Sequence, residues 1–96
     1  MKIKFYKYQG AGNDFILVDN RKSVFNHHDP KLIARICDRR FGIGGDGMMF
    51  LQDKAGYDFE MIYYNADGQP SSMCGNGGRC IVAFAKFLGI IDLEAN

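Results

Sequence analysis

The stretch Asn65-Ala-Asp-Gly-Gln-Pro-Ser-Ser-Met-Cys-Gly-Asn-Gly-Gly-Arg-Cys80, running on into Ile81-Val-Ala-Phe-Ala-Lys-Phe-Leu88, decides how this chain reads. A polar turn containing Gly68 gives way, past Pro70 and Ser72, to a helix over 75–88 with almost no polar face. Such a helix is normally buried, so strands from the rest of the chain are expected to wrap it, with Gly89 near its C-cap. Cys74 enters this helix through a glycine-rich turn. The first four backbone N–H groups of a helix lack internal partners and carry the positive end of its dipole, so they attract anions and favour thiolate over thiol. Cysteines at such positions can have pKa values well below the free value of about 8.5, which makes them usable as bases or nucleophiles near neutral pH.

Working outward, Tyr57, Phe59, Met61 and Tyr63 alternate with Asp58, Glu60, Ile62 and Tyr64, a strand of period two that the Asn65–Gly68 turn ends. Met48-Met49-Phe50-Leu51 reads as a short buried strand. Residues 2–7 alternate in charge and apolarity, and 14–19 form a compact apolar run, so both read as strands meeting at the Gly10-Ala11-Gly12-Asn13 turn. Asp29 and Pro30 form an N-cap and first-turn pair. Leu32, Ile33, Ile36, Cys37 and Phe41 then recur at helical spacing, predicting an amphipathic helix that ends near Arg39 or Arg40. The class is α+β, a largely antiparallel sheet wrapped around a buried central helix.

Ninety-six residues make at most one modest domain, too few for two domains with a cleft between them. A net charge of +1 gives no electrostatic case for nucleic acid or an anionic membrane, and small uncharged or zwitterionic partners fit better. No apolar run reaches the roughly 18–20 residues needed to span a bilayer, and the start of the chain does not lead into a signal-peptide core, so the cytoplasm is the expected location. Three cysteines without Cys-x-x-Cys spacing indicate neither a disulfide scaffold nor a zinc site.

The other conspicuous residues have structural readings. Gly42–Gly47 lacks the Gly-Lys-Ser/Thr of a phosphate loop, and its glycines suit a tight turn that Asp46 caps. Asn13 taken alone is a turn residue. Cys37 lies on the apolar stripe of the first helix and reads as core. His27 and His28, adjacent in a polar loop, are poorly arranged for one metal. Cys80 is six residues beyond Cys74, about 9 Å up a helix axis and on another face, too far for a disulfide between them.

Together, Gly10-Ala-Gly-Asn-Asp-Phe15, Arg40-Phe-Gly-Ile-Gly-Gly-Asp46, Asn65-Ala-Asp-Gly68 and Cys74-Gly-Asn-Gly-Gly-Arg79 resemble the N-terminal part of diaminopimelate epimerases. That family interconverts LL- and meso-diaminopimelate without a cofactor. The resemblance implies that Cys74 is one of two catalytic cysteines and that Asn13, Asn65, Gly75 and Asn76 contact the substrate. Arg79 and Asp67 are expected to hold the loops in shape. Some members carry glutamine where this chain has Gly47, so that contact is not carried over. The resemblance further implies that residues 1–96 are most of the N-terminal catalytic domain. A second, pseudo-symmetric domain would supply the opposing cysteine, the full-length enzyme would be a homodimer, and these residues alone would be inactive and prone to associate.

The chemistry accounts for these residue types. Inverting an α-carbon without a cofactor needs an acid/base group on each face, and thiol and thiolate exchange those roles at each turnover. The N–H groups of Gly75 and Asn76 are placed to bind the α-carboxylate as charge builds on it. The amides of Asn13 and Asn65 are placed to orient a zwitterion. No metal or nucleotide is required. Two alternatives stay open: a proline or hydroxyproline racemase-like isomerase, which also opposes two cysteines, and a non-catalytic module that binds a small carboxylate.

Overall fold

Phe15, Ile16, Leu17 and Val18 are all buried, which is the mark of a strand covered on both faces. In the computed structural model, which describes residues 3–10, 12–25, 28–71 and 75–89, they form the middle of β2 (Asn13–Asp19). The strand β1 (Tyr6–Gly10) pairs antiparallel with β2, β3 (Gly47–Gln52) pairs parallel with β2, and β4 (Glu60–Asn65) pairs antiparallel with β3. The sheet order is therefore β1-β2-β3-β4. A parallel pair needs a crossover, and α1 (Pro30–Cys37) supplies it between β2 and β3. The second helix, α2 (Gly75–Phe87), follows β4.

Alternation along the strands divides the core into two layers. Ile16, Val18, Met48, Phe50 and Tyr64 point to one face and pack with Phe25 and with Ile33 and Cys37 of α1. Phe15, Leu17, Met49 and Leu51 point to the other and pack with Cys80, Ile81, Phe84 and Ala85 of α2. The class is α+β, with a mixed sheet that is antiparallel at two of its three pairings. Phe84 is the anchor of the second layer, with ring centroids 5.0 Å from Tyr6 and 5.7 Å from Tyr8. Truncating a buried phenylalanine of this kind costs about 3–5 kcal/mol. Val82 and Phe87 are exposed, Phe87 with one side of its ring against Tyr6.

Four element boundaries differ notably from the sequence expectation, each for a local reason. The first strand occupies Tyr6–Gly10 and not 2–7, because Tyr6 and Tyr8 are the residues that stack on α2. Pairing continues to Gly10 opposite Asn13, so Asn13 is the first residue of a strand and not part of the turn. The first helix ends at Cys37, since Asp38 turns extended (φ −63°, ψ 126°) and its carboxylate accepts from the N–H groups of Arg40 and Phe41, both at 2.8 Å. The last strand begins at Glu60, leaving Tyr57 exposed in a turn whose N–H donates to Lys54 O at 3.0 Å. The expected N-cap is present: Asp29 accepts from Leu32 N at 3.1 Å, with Pro30 opening the helix.

Candidate functional site

The register places the two singled-out asparagines at one end of the sheet. Phe15, Gly47 and Asn65 are partners in adjacent strands, and Asn13 lies two residues before Phe15. Two strand spacings and two residues of rise put the Cα atoms of Asn13 and Asn65 about 12 Å apart, the scale of a small amino acid. Asn13, Phe15, Gly47 and Asn65 share the face that α2 covers, by the same alternation that places Phe15 in its layer.

The direction of α2 follows from its ring contacts. Phe87 meets Tyr6 edge-on, Phe84 touches both Tyr6 and Tyr8, and Cys80 lies in the layer against which Tyr8 packs. Moving toward the start of the helix therefore moves along β1 from Tyr6 toward Gly10, so α2 begins at the sheet end that carries Asn13, Gly47 and Asn65. The helix starts at Gly75, the residue after Cys74. Gly75 and Asn76 thus occupy its first turn, where unpaired N–H groups concentrate. Cys74 and the side chain of Asn76 lie outside the described residues.

The turn after β4 delivers the chain to that helix. Asn65 N donates to Gln69 O and Gly68 N to Asn65 O, both at 2.9 Å, and Asp67 accepts from Gln69 N at 2.9 Å. Asp67 therefore shapes the loop, as expected. Gly68 adopts φ +87°, and a Cβ there would lie 2.1 Å from Pro30 O, so the turn is packed directly on the start of α1. Ser71 then returns beside β4, donating to Tyr63 O at 3.0 Å. Asn65 itself is exposed at the tip.

Around Asn13 lies a charged cluster that local sequence reasoning missed. Asp46 Oδ2 accepts from Asp14 N at 3.0 Å and from Asn13 Nδ2 at 3.3 Å, while Asp46 N donates to Asp14 O at 2.8 Å. Arg39 spans both acids, donating to Asp14 at 2.7 and 3.0 Å and to Asp46 at 3.1 Å. Lys7 donates to Asp14 at 2.8 Å and also to Gly44 O. The Arg39 guanidinium first, and Lys7 second, hold the Asp14 carboxyl far below the usual carboxylate range. Asp46 is thus a tie between β2 and β3 and not only a turn cap. No short-range pattern announces this, because the partners are brought together by the parallel register.

Gly47 is constrained from above. A Cβ there would lie 2.6 Å from Tyr63 Cε1, 2.8 Å from the Tyr63 hydroxyl and 2.8 Å from Tyr64 O. The Tyr63 ring therefore fills the space between Asn65 and Phe15 where a longer side chain at position 47 would stand. Tyr63 was read only as a strand residue. Elsewhere, Cys37 and Cys80 are buried free thiols, and burial pushes Cys37 up to about 11, which keeps it protonated and inert. His28 is exposed, and His27 lies outside the described residues. Among the described residues no group of three or more His, Cys, Asp or Glu is arranged to hold a metal, and no helix is long and apolar enough to cross a membrane. An open recess of about 420 Å³ lined by Asp19, Arg21, Lys22, Val24 and Asp53 lies at the opposite end of the sheet.

Comparison with known proteins bears directly on this corner. A family profile described as diaminopimelate epimerase matches residues 5–94. The diaminopimelate epimerase of Flavobacterium psychrophilum is 60% identical over 89 residues, covering 93% of this chain and 35% of that protein. That of Chlorobaculum tepidum is 54% identical over 81 residues, covering 84% and 31%. The chain thus spans about a third of the length of these curated relatives. A Bacillus anthracis phenazine biosynthesis protein of the PhzF family superposes with a TM-score of 0.62 over 97% of this chain and 29% of its own, at 15% identity, a likeness of fold alone. With the matching stretch running through the glycine loop, the asparagine turn and the start of α2, this chain belongs to the diaminopimelate epimerase family.

Proposed function

We propose that these residues form most of the N-terminal catalytic domain of a cofactor-independent epimerase that interconverts LL- and meso-diaminopimelate, with Cys74 as one of its two bases. The observation that carries this reading is the meeting of Asn13, Asn65 and the first turn of α2 at one sheet end, on one face, with Cys74 next in the chain to that helix start.

The mechanism follows from those placements. The Cys74 thiolate removes the α-proton from one face of the substrate carbon. The N–H groups of Gly75 and Asn76 stabilise the carboxylate as negative charge spreads onto it. A second thiol, on a pseudo-symmetric domain outside these residues, delivers a proton to the other face, and the two exchange roles for the reverse reaction. Asn13 and Asn65 fix the zwitterion so that the α-carbon lies between the two sulfurs. One base inverts nothing, so residues 1–96 alone are inactive. The working enzyme is a cytoplasmic homodimer that binds a small molecule and no nucleic acid.

The test uses the polypeptide expressed from its whole reading frame, incubated with LL-diaminopimelate in D2O. Deuterium is expected at the α-carbon, with meso product, and Cys74→Ala abolishes both. Exchange that survives in Cys74→Ala overturns the assignment of the base, and exchange into proline in place of diaminopimelate moves the enzyme to the racemase reading.

A further inference from the structure

A primary amide presents two unlike edges, a donor NH2 and an acceptor oxygen, and its neighbours decide which edge faces a ligand. At Asn13 the deciding neighbour is Asp46. An ionised carboxylate only accepts, so the 3.3 Å contact to Asp46 Oδ2 selects the NH2 edge and turns the Asn13 carbonyl oxygen away from Asp46. Asp46 is itself held by three other groups. The Asp14 N–H shares Oδ2, Arg39 Nη2 reaches Oδ1 at 3.1 Å, and the Asp46 N–H donates back to Asp14 O. Arg39, which follows α1, is in turn fixed in the plane of the Asp14 carboxylate by two contacts.

These contacts run round the end of the sheet. Asp14 and Arg39 belong to the α1 side, whereas Asn13 belongs by alternation to the face that α2 covers. The Asp14 backbone bond and Arg39 alone would hold the loop before β3, so the bond to Asn13 Nδ2 adds orientation to a joint that is already closed.

We infer that Asp46 is a positioning residue for ligand binding, locking the Asn13 amide so that its oxygen, and not its NH2, is offered to a cationic amino group of the bound molecule. The inference rests on the proposed epimerase reading for the identity of that molecule. A carbonyl oxygen has two lone pairs, so it can serve a protein donor and a ligand ammonium together. Arg39 holds Asp46 in place, and Asp46 passes that order on to Asn13 without touching the ligand.

The test has two arms on the whole-reading-frame polypeptide. In the ligand-free protein, one Asn13 Nδ2 proton is expected to exchange slowly with solvent and to lose that protection in Asp46→Ala. Two rapidly exchanging, equivalent amide protons in the wild type overturn the inference, whatever the variants do. In kinetics, Asp46→Ala removes the acceptor, lets the Asn13 amide flip and raises KM for diaminopimelate about tenfold or more, with kcat changed less than about threefold.

A double variant then tests polarity. In the pair Asn13→Asp with Asp46→Ala, either edge of the carboxylate offers the ligand an oxygen, so KM returns to within about threefold of wild type. Asn13→Asp alone sets two carboxylates against each other and remains impaired. A double variant that unfolds like the wild type but binds no better than Asp46→Ala overturns the acceptor role, as does an unchanged KM in Asp46→Ala. A wild type that does not turn over diaminopimelate sinks the epimerase reading, and the orientation claim is then decided by amide exchange alone.

Discussion

The two ends of the sheet each carry an asparagine, and they are used in opposite ways. At the far end Asn20 is 2% exposed and saturated by its own chain. Its amide oxygen accepts from Phe25 N at 2.9 Å, and its nitrogen donates to Phe25 O at 3.2 Å and Gln52 Oε1 at 2.6 Å. Its backbone also joins Leu51 and Ser23. At the near end Asn13 is half-buried, and its amide nitrogen donates to the Asp46 carboxylate, which fixes that edge. Asn20 closes a loop over the core, where an amide is useful because all its capacity is spent inside. Asn13 stands at the corner where α2 begins, with Asp46 fixing its NH2 edge. Burial and partners, not residue type, separate the asparagine that holds the fold from the one proposed to meet a ligand.

The sharpest way to break that contrast is Asn20→Ala. It strands the buried Phe25 N–H and C=O and should lower stability by about 3 kcal/mol, measured by urea unfolding, while the start of α2 keeps its structure. A loss below about 1 kcal/mol would mean that Asn20 is no more structural than Asn13. Gly47→Ala probes the near end. Tyr63 can swing aside from the added methyl, but Tyr64 O belongs to the strand and cannot, so a loss of about 2 kcal/mol is expected. If substrate KM rises along with this loss, displacement of Tyr63 disturbs the ligand corner as well as the sheet.

The smallest effect belongs to Asp14. Its folded pKa is depressed by Arg39 and Lys7, so its contribution is present above the unfolded value of about 3.9 and is lost as pH falls toward 2 and below. The carboxylate is 23% exposed and its cationic partners are 40% and 59% exposed, so with solvent screening Asp14→Asn should shift stability by less than about 1 kcal/mol at pH 7. The difference from wild type should vanish on acidification, and urea midpoints between about pH 2 and 7 would show it. A difference that grows on acidification would contradict the ion-pair assignment.

Much of this was legible in the sequence where periodicity is local. The apolar run 14–19, the Asp29-Pro30 helix start and the glycine after α2 all express short-range rules, and the structure has β2, α1 and α2 at those places. Gly89 takes φ +79° and its N–H donates to Lys86 O, as a C-cap should. Boundaries moved where tertiary contacts outvoted pattern, as when Tyr6 and Tyr8 drew β1 along the chain to meet Phe84. The asparagines were legible through their motifs. Asp46, Arg39 and Tyr63 were not, because their roles depend on the register of β2 against β3, which no window of sequence contains.

The parallel pairing of β2 with β3 has a consequence for how the protein comes to be folded. The β1–β2 hairpin is a local structure that closes across two residues, and it presents Asn13 as soon as it forms. Asp46 is 33 positions away and arrives only after α1 has crossed over and β3 has zipped onto β2. Closing that longer loop is the slower, entropically costlier event. The orientation of Asn13 is therefore expected to mature late, so that a chain still assembling holds the asparagine without the means to aim it.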